Sequence, residues 1–294
     1  MRIRKAPLVA LAGAAALVTG VAAPAAAQAP AVAPVMATAE RDTPAVYGRA
    51  AHLIDAESGD VLFSKDAGER MPVASLTKTM TAYVVLKSAK PTDVVRIKAD
   101  DVAYAEAGGG TTAGLRPGDR LTVGELMYAL MLPSGADAAH ALARTYGPGV
   151  KGFVAKMNAT ARELGMSDTE YVNADGLPTP RGDGYSTAED QALLAVKALQ
   201  VPLIEEVAGT RRHTLAATDE HRSYNWRNTN RLLGTPGAIG LKTGFTRAAG
   251  YCLAFAGESE GRRLVGVLLD ESVSSRRFST AEALLSWGGS RVSA

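Results

Sequence analysis

Ser75-Leu76-Thr77-Lys78-Thr79-Met80-Thr81-Ala82-Tyr83-Val84-Val85-Leu86 sets a serine and a lysine three residues apart at the root of a segment without charge from Thr79 onward. A helix lacking a charged face is buried on most sides. Residues three apart on a helix are surface neighbours, about 5–6 Å between Cβ atoms, so the Lys78 amine can reach the Ser75 hydroxyl. The stretch predicts a central helix from Thr77 to Ala89, with Ser75 opening it as an N-cap residue.

Working outward, Ala50 to Ile54, the turn chemistry of Asp55 to Asp60 and then Val61 to Lys65 read as a β-hairpin. Helical patterns follow at Thr122 to Pro133, Asp137 to Tyr146, Val150 to Leu164 and Ser186 to Leu199. The last third returns to strands at Ala238 to Thr243, Gly250 to Ala256 and Arg263 to Leu269, before a closing helix from Glu271 to Trp287. Strands at both ends around a helical middle predict an α/β fold. It is an antiparallel β-sheet flanked by helices, its first and last strands paired, with an all-α lobe inserted at roughly 80–203 and the active cleft between them.

Met1-Arg2-Ile3-Arg4-Lys5, the apolar run from Ala6 to Ala23 and Pro24-Ala25-Ala26-Ala27 make residues 1–27 a signal peptide. The run is broken by Gly13 and Gly20 and falls short of the ~20 strongly hydrophobic residues of a spanning helix, so export with release is expected. Residues 28–44 read as an Ala/Pro-rich linker and 45–294 as the catalytic domain. Removing the leader takes Arg2, Arg4 and Lys5 and moves the formal charge from +2 to −1. Such a chain has no electrostatic reason to seek nucleic acid or an anionic membrane. Cys252 is the only cysteine, and His52, His140, His213 and His221 show no metal-binding spacing, so no disulfide, metal or cofactor is expected.

Two further triplets supply chemistry, Ser134-Gly135-Ala136 and Lys242-Thr243-Gly244. At a pKa of about 10.4, roughly one lysine in a few thousand is neutral at pH 7, so a base at Lys78 requires that value lowered; burial lowers it, and a second cation such as Lys242, if its strand lies alongside, pushes the same way. The Ser75 N–H at the positive end of the helix suits a developing oxyanion. Lys242, flanked by Ile239, Leu241 and Phe245, must point outward or meet an anion, and a substrate carboxylate is one. Gly244 lets an extended peptide lie against the strand edge.

With Leu132 to Ala139, Asn173 to Leu177, Tyr185 to Ala188, Asn228 to Leu233 and Gly240 to Gly250, these triplets make the chain resemble a known family from about Val46 to Trp287. It is that of the low-molecular-mass penicillin-binding proteins, the D-alanyl-D-alanine carboxypeptidases and transpeptidases of serine peptidase family S11. The resemblance implies a DD-peptidase/β-lactamase-like fold and a secreted, wall-associated enzyme that cleaves peptidoglycan stem peptides ending in D-Ala-D-Ala and is acylated by β-lactams. It implies that Ser75 is the nucleophile, Lys78 its base and Ser134 a hydroxyl relay. Lys242, Thr243 and Gly244 would bind substrate, and the N–H groups of Ser75 and Phe245 would form the oxyanion hole. Larger relatives carry further segments after the catalytic unit; with seven residues following Trp287, a monomer without a stable membrane anchor is expected.

One position departs from the family: Ala136 stands where the second motif usually has Asn. Losing that donor would cost ~1–3 kcal/mol, which reads as a modified enzyme rather than a dead one. Ser223-Tyr224-Asn225 matches S-x-N literally but lies outside the helical lobe. Two other readings stay open at this level. A class A-like β-lactamase needs an added general base, and no E-x-x-L-N segment occurs. A non-catalytic penicillin-binding wall module would account for Ala136, but Ser75, Lys78 and Lys242 are intact.

Overall fold

The structure, a computed structural model, describes residues 43–180 and 182–291. The expected leader at 1–27, and all but the last two residues of the linker at 28–44, lie outside the described residues. β1 (Ala50–Asp55) and β2 (Val61–Lys65) form the predicted hairpin. Its turn is held by Asp55, whose Oδ1 accepts the N–H groups of Glu57 at 2.9 Å and Ser58 at 3.2 Å. A 3-10 turn at Ala74–Leu76 then runs into α1 (Thr77–Leu86).

The segment that follows carries β3 (Val94–Arg96), α2 (Ala99–Ala107), β4 (Arg120–Thr122), α3 (Val123–Met131), α4 (Ala136–Tyr146), α5 (Gly149–Glu163), α6 (Ala188–Leu199) and α7 (Pro202–Gly209). After β5 (Arg212–Leu215), β6 (Tyr224–Arg227) and a 3-10 turn at Arg231–Gly234, the chain closes with β7 (Ala238–Thr246), β8 (Gly250–Ser259), β9 (Arg262–Glu271) and α8 (Arg276–Gly289). The main sheet has the order β2-β1-β9-β8-β7, every neighbouring pair antiparallel. The first and last strands therefore meet, Ala50 opposite Leu269 and Asp55 opposite Leu264. β7 is left as an edge.

Period-two alternation builds two cores on this sheet. Leu53, Leu253, Phe255, Leu264 and Leu268 pack against Phe278, Leu284 and Trp287 of α8. The alternate residues Ile54, Ala254, Ala256, Val265, Val267 and Leu269 face the helices, in one cluster with Met80, Val85 and Leu130. α1 runs through this second core, and its uncharged stretch is buried at Thr79, Met80, Thr81, Ala82, Val84 and Val85. Covering an apolar side chain of this size is worth about 1.5–3 kcal/mol, so the helix that carries Lys78 is firmly seated.

Several boundaries move from their expected places. α1 stops at Leu86 rather than Ala89. The closing helix starts at Arg276 because the β8–β9 ladder runs on to Tyr251 opposite Glu271, whose carboxylate then accepts the N–H groups of Ser272 and Val273 in the turn. α2, α7 and the small β3–β4 and β5–β6 ladders were not anticipated. Strands of three or four residues are too short to show a period.

Candidate active site

Ser75 sits in the 3-10 turn and caps nothing: α1 begins after Leu76 without a side-chain capping bond. The expected N-cap role is thereby corrected, because the hydroxyl is engaged elsewhere. Ser75 Oγ accepts a hydrogen bond from Lys78 Nζ at 3.0 Å. The same amine donates to the backbone carbonyl of Asp175 at 2.8 Å. Ala74, just before the serine, has φ +49°, a costly conformation for a residue with a side chain. Gly176 (φ +80°) presses on it, since a Cβ there would lie 1.9 Å from the Ala74 carbonyl oxygen. The loop that holds the lysine therefore also holds the serine.

Lys78 is 1% exposed. Burial lowers its amine from the usual 10.5 to about 8, against the upward pull of the Asp175 and Asp137 carboxylates. An amine with that value is free in about one molecule in ten at pH 7, against a few in ten thousand for an exposed lysine. The lowering comes from desolvation, and the second cation expected to help, Lys242, is not among its causes.

Ser134 follows α3 in a left-handed conformation, φ +67°. Its Oγ accepts from Lys242 Nζ at 2.9 Å, and that amine also donates to the Thr243 carbonyl at 2.9 Å. Lys242 was expected to point outward or to face an anion. It points inward: it is 1% exposed, on the face shared with Ala254, and bonded to a hydroxyl and a carbonyl. Burial first, then repulsion by Lys78 and Arg277, push its amine well below the ordinary lysine value.

The remaining predicted residues gather at the same place. A Cβ on Gly244 would lie 2.9 Å from the Val73 carbonyl oxygen and 3.3 Å from the Ser75 nitrogen, so β7 runs directly against the turn that bears the serine. Thr243 shares a 2.7 Å hydroxyl contact with Thr229, whose N–H donates to the Leu132 carbonyl at 3.1 Å, two residues before Ser134. Phe245 is exposed and stacks on Tyr251 at 4.4 Å between centroids. From α8, the buried Arg277 donates to the carbonyls of Gly244 (2.8 Å) and Cys252 (3.0 Å), tying β7 down from behind.

Ala136 opens α4, fully buried, its N–H donating to Thr111 at 2.8 Å. A Cβ added to Gly110 would come within 3.1 Å of the Ala136 methyl and 2.7 Å of Leu177, so this loop closes over the place an Asn side chain would take. Beside it, buried Asp137 accepts the N–H groups of Ala113 at 2.9 Å and Leu115 at 3.1 Å, locking that loop onto α4. The rival Ser223-Tyr224-Asn225 runs into β6, whose pairing with β5 starts at Tyr224. Ser223 and Asn225 are exposed there, and Tyr224 turns inward to accept the Arg116 N–H at 3.2 Å.

Asp175, Thr229 and Arg277 were missed as site residues. The first two lie inside stretches that carried the family resemblance, but neither belongs to a catalytic triplet. Arg277 sits in a helix with nothing in its spacing to mark it. Among the described residues no group of three His, Cys, Asp or Glu side chains could hold a metal. What the cleft holds is a hydroxyl beside a partly neutral amine, a second hydroxyl and amine close by, and a glycine-bearing strand edge. Such a constellation can take an acyl group onto Ser75.

Comparison with known proteins supplies the family. Residues 36–273 match the family described as D-alanyl-D-alanine carboxypeptidase. A D-alanyl-D-alanine carboxypeptidase of Streptomyces sp. (strain K15) is 37% identical over 244 residues, 79% of this chain and 83% of that one. The carboxypeptidase DacF of Bacillus subtilis is 33% identical over 248 residues, and this chain spans 62% of its length. The crystal structure of the Streptomyces K15 DD-transpeptidase superposes with a TM-score of 0.79 at 34% identity, covering 84% of this chain and 98% of that one.

Proposed function

Because the chain belongs to the D-alanyl-D-alanine carboxypeptidase family, we propose that Ser75 is its acyl-accepting nucleophile and Lys78 the base that activates it. The protein is a serine-type D-Ala-D-Ala carboxypeptidase of peptidoglycan, in a family that penicillin targets. Lys78 takes the Ser75 proton as Oγ attacks the carbonyl of the penultimate D-alanine. The oxyanion forms against the N–H groups of Ser75 and Phe245, and Ser134 relays the proton held by Lys78 to the departing amine, regaining from Lys78 the one it gives up. Lys242 and Thr243 hold the terminal carboxylate beside Gly244, D-alanine leaves, and water releases the shortened peptide from Ser75.

The observation that carries this assignment is the 3.0 Å bond from a buried amine lowered to about 8 to the hydroxyl it would deprotonate. We infer that the protein acts outside the cytoplasm, at the wall, and its leader-like first residues support that placement. Among the described residues no helix is long and apolar enough to cross a membrane. Intact-mass measurement after penicillin treatment tests the chemistry. A stable penicilloyl adduct on the parent and none on Ser75→Ala is expected, together with D-alanine release from a diacyl-D-Ala-D-Ala peptide. An adduct that survives Ser75→Ala overturns the assignment, and rapid turnover of nitrocefin would make the protein a β-lactamase.

A further inference from the structure

Four arginines meet around one cavity without an acid among them. Arg211 before β5, Arg227 at the end of β6, Arg231 at the start of the second 3-10 turn and Arg277 in the first turn of α8 line a space of about 680 Å3 that no aspartate or glutamate borders. Some arginines among the described residues find carboxylates, Arg144 with Asp101 and Arg262 with Asp55 for example, whereas these four share one cavity and none of them makes an ion pair there. Arg211 is oriented by the Leu233 carbonyl, which accepts from its Nε at 2.9 Å. Arg227 and Arg231 are exposed. Arg277 spends donors on Gly244 and Cys252, yet its buried Nε has no partner.

Like charges gathered on a concave surface repel one another and are relieved by an anion. Guanidinium forks match the oxygens of carboxylates and phosphates alike. Charge separates the two: a single carboxylate would offset one cation of four, whereas a phosphate brings nearly two negative charges and three acceptor oxygens. The space is also far larger than a carboxylate and falls within the ~300–1,000 Å3 of small-molecule sites. We propose that this cavity is a binding site for a phosphate-bearing ligand, separate from the acyl-transfer cleft but touching it. Thr229 lines the cavity and contacts the Thr243 hydroxyl, so the cavity adjoins β7.

Calorimetric titration of the whole protein at constant ionic strength tests this, with inorganic phosphate, pyrophosphate, glycerol 3-phosphate and acetate as separate probes. At least one phosphate probe should bind with a Kd of about 1 mM or tighter, and acetate at least tenfold more weakly. Tighter glycerol 3-phosphate marks an organic phosphate as the ligand, tighter inorganic phosphate or pyrophosphate the free ion; either supports the site. Arg227→Gln and Arg231→Gln should each weaken binding about tenfold while penicillin acylation stays within about twofold. The proposal fails if acetate binds as well as phosphate, if no phosphate probe binds, or if the double variant binds as the parent does. A collapse of acylation in these variants overturns the separateness of the two sites and leaves the role of Ser75 intact.

Discussion

Two buried lysines share the cleft, and each donates to one serine hydroxyl and one backbone carbonyl. Their surroundings differ in sign. Lys78 has the carboxylates of Asp175 and Asp137 within electrostatic reach, which offset part of the cost of burial and leave its amine near 8. Lys242 is pushed well below the ordinary lysine value by burial first, and the charges that add to it, Lys78 and Arg277, are both cations. The same side chain in nearly the same hydrogen-bond pattern is thus prepared for two tasks. One amine gains and loses a proton near working pH; the other holds a positive charge comfortably only when an anion arrives.

The sharpest way to break this comparison is to remove the amines one at a time. Lys78→Met should slow penicillin acylation about 10²- to 10⁴-fold in stopped-flow measurements, the usual worth of a positioned base. A loss below tenfold would mean that the two lysines are interchangeable. Lys242→Met should act on substrate choice instead: kcat/KM for a peptide with a free terminal carboxylate falls about 100-fold, the scale of one partner lost from a buried charge pair. A substrate whose terminal carboxylate is amidated should lose far less. Equal losses for both substrates would remove the anion-holding role.

What the sequence disclosed follows the same line. Ser75, Lys78, Ser134 and the Lys242 triplet were legible because each motif is local, three or four residues on one element. The sheet was legible because the strand patterns at the two ends of the chain leave the first and last strands to pair. Hidden were the groups that differentiate the lysines, since Asp175 reaches Lys78 through a backbone carbonyl 97 residues away in sequence. No periodicity reports such a contact. The inward turn of Lys242 was hidden for a related reason: its partners are a serine hydroxyl and its own neighbour's carbonyl, which no search for an opposite charge would find.

Ala136 tests the Lys242 side with a smaller effect. The sequence alone suggests that restoring Asn would supply a missing donor, but Gly110 and Leu177 already close that place. Ala136→Asn should therefore cost about 1–3 kcal/mol of stability by overpacking, read from the urea midpoint, without speeding acylation. Unchanged stability with faster acylation would show that the loop leaves room and that the cleft lacks only the amide.

Asp175→Asn probes the Lys78 side most finely. The acylation rate of the parent should rise with pH through about 8, because only the neutral amine can take the serine proton. Asparagine keeps the backbone carbonyl that accepts from Lys78 and an Oδ1 for the Leu177 N–H, now 2.8 Å from the aspartate, while removing the charge. That charge favours the protonated amine, so its loss should move the acid limb down by about one pH unit. Acylation at pH 7 then gains about fivefold and at pH 9.5 hardly changes, the amine being free there in both proteins. A limb that stays at 8 would mean that the titrating group is not Lys78, and one that moves upward would mean that Asp175 acts by shape rather than charge. Lys242 offers no matching experiment, as neither of the charges that shift it is negative, and its amine answers only to an anion brought from outside.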